Sequence, residues 1–462
     1  MHPLRIDRNE IPTLPADVRR NCFNEVTVGF DERAVRAEAM RCLQCKNPPC
    51  VKGCPVNNCI PEFLSKVAKG RFSEALNSIL TTHILPSVCG RVCPQELQCE
   101  GHCVLGRKGK PVAIGACERF VGDFGRKNSL AKLVPRHTSA DKKIAIIGSG
   151  PAGLSCAGIL ASHGFNVTVF EALHELGGVL LYGIPEFRLP KDIVRRELNK
   201  FKTAGINFEC NTLVGRTVTI DALFGEGYSA VFAAPGAGTP LFSNIKGETL
   251  CGVFTANEFL TRVNLMRAHL PGSKTPIWCG KHVAVIGGGN TAFDAARTAL
   301  RLFPETVTVI YRRPFEDMPA RPDEIKQATE EGITVRTLTA PIEYIGDKNG
   351  WLKGIRICRM KATDVTKNGK HEIEKIPDTE EIICADTLIL AIGTRPNMLI
   401  SETTIGVETD KYGRIVVEPQ TMMTTRKGVF AGGDIAGGEA TVIAAMRMGK
   451  IAATGIEDYL KN

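Results

Sequence analysis

Apolar residues recur at three- and four-residue spacing through AVRAEAMRCLQC and PEFLSKVAKGRFSEALNSIL, which predicts amphipathic helices. No good strand pattern precedes Lys142. Residues 1–140 therefore read as a small helical domain with its cysteines on the connections, closed by a linker, NSLAKLVPRHTSADK. At Lys143 the pattern changes. KIAIIGSGPAGLSCAGILASHGFNVTVFEA reads as strand, glycine turn, helix, strand, and KHVAVIGGGNTAFDAARTALRLFPETVTVIYRR repeats that order. Two such βαβ units imply two dinucleotide-binding domains. AVFAAPGAGTP (230–240) and LILAIGTRPN (388–397) are apolar strands ending in Gly/Pro turns, and they bracket the second unit. Beyond them GVFAGGDIAGGEATVIAAMRMGKIAATGIEDYL supplies a strand, a turn and a closing helix. The simplest chain path inserts the second nucleotide domain (246–390) into the first (141–245 plus 391–462). The expected class is α/β: a helical front domain followed by two Rossmann-like domains, one inside the other.

Composition narrows the function. The 462 residues are 43% hydrophobic and 23% charged, a globular balance. The 58 basic and 49 acidic residues give a formal charge of +9, mild for this length, which can favour phosphorylated cofactors or an acidic partner. No Lys/Arg block carries interleaved aromatics, so no nucleic-acid partner is expected. No long apolar run suggests a membrane span. The start, MHPLRIDRNEIPTLPADVRR, has no apolar signal core. Eleven of the 17 cysteines fall between Cys22 and Cys117. In a chain read as cytoplasmic, such a group points to bound metal rather than disulfides.

The first glycine turn is Gly148, Gly150 and Gly153, a GxGxxG between strand and helix. The first glycine allows the tight turn, the second admits a pyrophosphate, and the third lets helix and strand pack closely. Glu171 ends the next strand, where a carboxylate can accept hydrogen bonds from a ribose. The chain's tail favours FAD here. Gly433 and Asp434 follow a strand, where the acid can reach a ribityl hydroxyl. The helix that opens near Thr441 can aim its positive end at the flavin. Gly177 and Gly178 fit backbone passing close to that cofactor. In the second turn, Gly287, Gly289 and Ala292 give GxGxxA, with Asn290 and Asp294 beside them. Arg312 and Arg313 stand where the first unit has its acid, which favours NADPH over NADH because arginine pairs with a 2′-phosphate.

A redox CxxxxC is missing. The matching region reads GGVLLYGIPEFRLP, so a disulfide reductase is rejected. Cys156, Cys210, Cys251, Cys279, Cys358 and Cys384 are expected to be small buried apolar residues. No acid–base side chain is needed for hydride transfer, so no catalytic residue is assigned, although Arg188 is expected near the flavin. The front cysteines run Cys42-x2-Cys45-x4-Cys50-x3-Cys54-Pro and Cys89-x3-Cys93-Pro-x4-Cys99-x3-Cys103. This is closer to a ferredoxin run than to paired zinc knuckles, and two [4Fe–4S] clusters fit the count, with zinc as the alternative. His83 and His102 are expected to be surface residues, and Cys59 structural.

CLQC…C…CP, GRVCPQELQCEGHC, IGACERF, GGVLLYGIPEFRLP, GGGNTAFD and AGGDIAGGEAT together resemble one superfamily over essentially the whole chain. It comprises the small (β) subunits of NADPH-dependent glutamate synthase, the N-terminal part of dihydropyrimidine dehydrogenase, and the large subunit of NADH-dependent ferredoxin:NADP oxidoreductase. The resemblance implies a crossed ligand set. Cys42, Cys45 and Cys50 would take Cys103 for one cluster. Cys54, Cys93 and Cys99 would hold the other, completed by Glu118, with Cys89 a bystander. Cys117 beside Glu118 departs from the family pattern. It further implies that NADPH gives a hydride to FAD and that the clusters pass single electrons to a second redox subunit. The partner would be the glutamate synthase large subunit, whose amidotransferase chemistry nothing in this chain resembles. The alternatives are a flavin- and ferredoxin-linked bifurcating transhydrogenase, a stand-alone NADPH-dependent reductase, or a non-catalytic zinc-bearing sensor.

Overall fold

The computed structural model describes residues 7–130, 142–366 and 369–461. The linker predicted over 128–142 lies mostly outside them. The front part is helical. Helices Glu32–Met40, Ile60–Ala68, Phe72–Leu80 and Ile114–Lys127 pack around Val35, Phe63, Leu64, Leu76 and Val121, while Pro86–Val92 turns Val88 and Val92 into a second core. Two glycines set the closest crossing. A Cβ on Gly90 would lie 2.5 Å from Arg119 N, and one on Gly122 would lie 2.4 Å from Ser87 N. Helices Pro86–Val92 and Ile114–Lys127 therefore meet backbone to backbone.

The strands are numbered in chain order. The first sheet contains β1 (Lys143–Ile147), β2 (Asn166–Phe170), β3 (Asn207–Glu209), β4 (Tyr228–Ala233) and β16 (Val429–Ala431). Its order is β16-β4-β1-β2-β3, all parallel. The second contains β6 (Val253–Thr255), β7 (His282–Ile286), β8 (Thr306–Ile310), β9 (Thr334–Arg336) and β14 (Thr387–Leu390), also parallel, in the order β6-β14-β7-β8-β9. Helices cover the faces, which is why IAII and HVAVI are continuous apolar runs rather than alternating ones. The second sheet lies in sequence between β4 and β16. The chain crosses between the sheets at one place, where β5 (Thr239–Pro240) pairs antiparallel with β15 (Thr394–Arg395). An antiparallel meander, β10 (Thr339–Gly346), β11 (Leu352–Val365), β12 (His371–Lys375) and β13 (Glu381–Cys384), extends the inserted domain.

The closing helix Val442–Lys461 lies against Pro151–Ser162, the helix that follows the first glycine turn. Gly449 makes this possible: a Cβ there would sit 2.2 Å from Ala152 O. Ser155 Oγ donates to Met446 O at 2.9 Å across the same contact. Gly449→Leu forces these backbones apart and is expected to cost about 1–3 kcal/mol of stability, the usual range for an overpacked core. Gly225 has no neighbour within 4 Å of its would-be Cβ, so Gly225→Ala should leave the thermal melt within about 0.5 kcal/mol of wild type. Equal melts for the two variants would contradict the packing described.

Candidate cofactor and metal sites

A cavity of about 1740 Å³ runs between the two parallel sheets and is lined by both glycine turns. In the first turn Gly148 has φ +96°, and a Cβ there would meet Ala234 O at 2.4 Å. A Cβ on Gly153 would fall 1.9 Å from Gly148 O, whereas Gly150 faces open space. The turn thus closes on itself everywhere except at the one position where a pyrophosphate must approach. Gly178 covers it from above, with Gly150 Cα 2.8 Å from its would-be Cβ. Glu171 lines the cavity and accepts from Ser149 N (2.9 Å), Ser149 Oγ (2.5 Å) and Leu173 N (2.9 Å). A carboxylate offers about four acceptor positions, so one remains for a ribose hydroxyl. Gly433 and Asp434 stand at the wall beyond β16, and desolvation raises the Asp434 carboxyl above its usual range. Ala440, Thr441 and Val442 line the same wall, so the 20-residue helix Val442–Lys461 turns its N-terminus to the cavity. These residues fit a dinucleotide with a flavin at this end.

The loop between Gly178 and Pro190 is held from below by Lys191. Its Nζ donates to Leu180 O (3.0 Å), Leu189 O (3.2 Å) and Ile184 O. Burial pushes the Lys191 ammonium down to about 7.

In the second turn Gly287 has φ +143° and its would-be Cβ lies 2.3 Å from Ala391 O. Gly289 opens onto the cavity, with only Pro319 Cγ at 3.9 Å. Ala292 is fully buried, where the helix Asn290–Leu300 packs on its sheet, and does not line the cavity. Arg312 and Arg313 both line it, but they are not equivalent. Arg313 Nε donates to His371 O at 3.1 Å and lies 3.9 Å from Asp317 Oδ2. Arg312 is exposed and makes no hydrogen bond or ion pair among the described residues. Asn290 Oδ1 accepts from Arg321 N at 3.0 Å. Arg188 reaches the cavity wall, yet its guanidinium is committed: Nη1 donates to Asp294 at 2.8 and 2.7 Å, and Nε lies 3.0 Å from Glu324 Oε1. Arg188 and Asp294 therefore join the two nucleotide domains.

The helical crossing at Gly90 and Gly122 brings Cys89 within 4.8 Å of Glu118. Two thiol groups result. Cys50 feels the charges of Cys103, Cys42 and Cys45, and desolvation with this repulsion pushes it up to about 12. Cys54 feels Glu118 and Cys93, and burial pushes it up to about 11. Cys99 is raised by burial first and then by the charges of Glu100, Glu118, Cys54 and Cys93. A bound cation inverts such shifts by favouring thiolate. Four zinc-bound sulfurs at about 2.3 Å would stand about 3.8 Å apart. Among the described residues no three of these thiols lie within 4.8 Å of one another, so they are not arranged as a one-ion thiolate site. Val92 and Pro94, flanking Cys93, line the flavin cavity. Cys42, Cys45 and Cys103 are half-buried, nearer the surface.

Three expectations change. His83 is buried, not a surface residue, and its Nε2 lies 3.0 Å from Glu118 Oε1. A lone histidine carries no spacing signal that would reveal this. Beside it, Cys89 Sγ lies with His83 and Glu118 inside a 4.8 Å group. Cys251 and Cys384 are exposed, because they sit at the rim and edge of the meander rather than in a core. His102 is exposed as expected, and Cys59 Sγ is tied to Ser78 O at 3.1 Å.

Residues 19–130 match the family described as dihydropyrimidine dehydrogenase domain II, 4Fe-4S cluster, and residues 142–449 match the pyridine nucleotide-disulphide oxidoreductases. The glutamate synthase [NADPH] small chain of Escherichia coli is 36% identical over 99% of this chain and 98% of its own. The NADP(+)-dependent formate dehydrogenase subunit beta of Moorella thermoacetica is 37% identical over 89% of this chain and 60% of its own. Among solved structures, Mycobacterium tuberculosis FprA in complex with NADPH matches with a TM-score of 0.57 at 20% identity, over 70% of this chain and 85% of that one, a likeness of fold.

Gly150→Val fills the one open position of the first turn. It is expected to abolish bound flavin while leaving the far-UV circular dichroism of the chain unchanged; a variant purified with full flavin absorbance would refute the cradle. Lys191 makes a pH prediction. Its folded value, about 7, lies below its ordinary 10.5, so between these pH values the unfolded chain holds the proton and the folded one does not. Stability linked to Lys191 therefore rises from pH 7 toward 10.5. Denaturant titrations should show that upward slope in wild type and a flatter one in Lys191→Met; identical slopes would contradict it.

Proposed function

The chain belongs to the family of glutamate synthase small chains and related flavin and iron–sulfur oxidoreductases, and from that premise we propose that it is the electron-input subunit of a larger NADPH-dependent assembly. The protein is an NADPH-dependent oxidoreductase with an FAD-type dinucleotide domain and a 4Fe–4S domain. When bound, FAD accepts a hydride from NADPH, and iron–sulfur centres carry electrons onward singly. Everything else is positioning. The Gly148–Gly153 turn and Glu171 hold one dinucleotide, and the Gly287–Ala292 turn with Asn290 holds the other. Their open faces share one cavity, which is the observation that carries the reading.

The finer assignments are those the family resemblance implies. Cys42, Cys45, Cys50 and Cys103 would hold one [4Fe–4S] cluster, and Cys54, Cys93, Cys99 and Glu118 a second. Val92 and Pro94, on either side of Cys93, line the cavity, which supports a reading in which the second set would take electrons from the flavin and the first would pass them on. The partner would be a glutamate synthase large subunit in the cytoplasm; among the described residues no helix is long and apolar enough to cross a membrane. The Moorella relative supports a second reading, in which the same module feeds another acceptor. Anaerobic purification from the native host decides between them. A large amidotransferase-type chain should co-purify; a small flavin- and NADH-binding chain, or none, would overturn the glutamate synthase assignment.

Among the described residues Arg312 lines the cavity with no hydrogen bond or ion pair of its own, which supports it as the residue that would take the 2′-phosphate. A charge-assisted hydrogen bond is worth about 1.5–3 kcal/mol. Arg312→Ala is therefore expected to raise KM for NADPH about 10- to 100-fold with little change in kcat or in KM for NADH. Arg313→Ala, whose guanidinium is partly engaged elsewhere, should do less. Steady-state kinetics with a dye acceptor reads both, and the reverse ranking would contradict the assignment.

A further inference from the structure

Arg321 precedes the helix Pro322–Glu330 of the inserted domain. Its backbone and its side chain face different sites. Its N–H donates to Asn290 Oδ1 at 3.0 Å, and the N–H of Ala320 donates to Gly288 O at 3.1 Å. The Ala320–Arg321 segment is thus bonded to both sides of the second glycine turn, and Asn290 itself lines the cavity. The guanidinium leaves this domain altogether. Nε donates to Glu96 Oε1 at 2.8 Å, and Nη2 donates to Glu96 Oε2 at 3.1 Å and to Gln95 Oε1 at 2.9 Å. The Arg321 side chain is only 11% exposed, so solvent screens these bonds little.

Gln95 and Glu96 belong to the segment between Cys93 and Cys99. Gln95 is wedged in place. Its amide donates to Cys89 O (3.4 Å) and Gly90 O (3.3 Å) at the end of the preceding helix. On its other side Gly115 leaves room for it, since a Cβ there would fall 2.4 Å from Gln95 Nε2. A rigid, planar fork therefore ties the cysteine segment directly to the nucleotide turn.

We propose that Arg321 is a positioning residue that couples the two sites: it clamps the Cys93–Cys99 segment to the nucleotide turn, so that NADP(H) in that turn alters the charge and hydrogen bonding around the second iron–sulfur site. This rests on the proposed iron–sulfur reading of Cys54, Cys93, Cys99 and Glu118. The physical cause is local. Phosphates entering at Gly289 and Asn290 bring negative charge to the acceptor that holds Arg321 N, and Arg321 is the cation that balances Glu96. Cluster potentials respond to such charge and hydrogen bonding. The coupling is reciprocal: if the reduced and oxidised sites differ tenfold in NADP+ affinity, the site's one-electron potential moves by 59 mV.

The test is an anaerobic redox titration of the holoprotein followed by electron paramagnetic resonance, with and without saturating NADP+, its occupancy checked by calorimetry. Iron and flavin content per chain are measured on each preparation. In wild type, NADP+ should shift the potential of the second site and leave the first in place. In Arg321→Met the shift should vanish with iron and flavin retained. Arg321→Lys, which keeps the charge but not the fork, should show less than half the wild-type shift, and it decides the question if the methionine variant loses iron. An undiminished shift in both variants, or no shift in wild type, overturns the coupling. Wild-type protein with iron at the first site alone would remove the iron–sulfur reading itself, and the coupling with it.

Discussion

Phe187 and Arg188 hold the three parts of the molecule in one arrangement. The ring of Phe187 is fully buried beneath Arg301 and Arg297, at 4.0 and 4.8 Å from its centroid, and its carbonyl accepts from Val26 N of the front segment at 2.9 Å. The next residue, Arg188, enters the inserted domain to meet Asp294 and Glu324. Arg19 comes from the front segment to the same cluster, 3.0 Å from Glu331 Oε1, which also takes Arg297 at 2.7 Å. Removing one partner from such a network leaves a buried unpaired charge, at a cost of about 3–5 kcal/mol. The relative position of the two glycine turns, and so the shape of the cavity between them, depends on this junction.

The junction also explains why the front domain is where it is. Helix Pro86–Val92 sits on the flavin domain, with Cys89 Sγ 3.8 Å from Met446 Sδ of the closing helix and Lys450 Nζ 3.2 Å from Thr82 O. Cys93 packs with the flavin-domain core, Cys54 with both cores, and Cys42, Cys50, Cys99 and Cys103 with the helical core. Of these, Cys93 is flanked by Val92 and Pro94, which line the cavity. An enzyme of this architecture without a CxxxxC beside its flavin needs another exit for electrons, and the front cysteines are the proposed one.

Much of this was legible in the chain, for reasons that are local. Gly148, Gly153 and Gly287 were legible because their spacing between strand and helix announced them, although only Gly153 meets a local backbone atom, while Gly148 and Gly287 meet the distant Ala234 O and Ala391 O. The front helices showed their period because each buries a single face. Glu171 was legible by position, but its bonds to Ser149 were not, since a serine inside a glycine turn has no distinguishing pattern. Arg188 with Asp294, and Arg321 with Glu96, pair across long stretches of sequence, and nothing in either segment names its partner. His83 was missed because its burial comes from the helical packing around Glu118. Cys251 and Cys384 escaped because exposure on the meander is decided by tertiary placement, not by residue type.

The central claim is that electrons taken from NADPH leave through the front cysteines. The most direct test is anaerobic stopped-flow of wild type and Cys99→Ala, following flavin bleaching by NADPH and reduction of the one-electron partner in the same experiment. Bleaching should persist within a few-fold of wild type, while partner reduction falls to background. Partner reduction at the wild-type rate in Cys99→Ala would contradict the claim, because the electrons would then have a route that bypasses the second cysteine set.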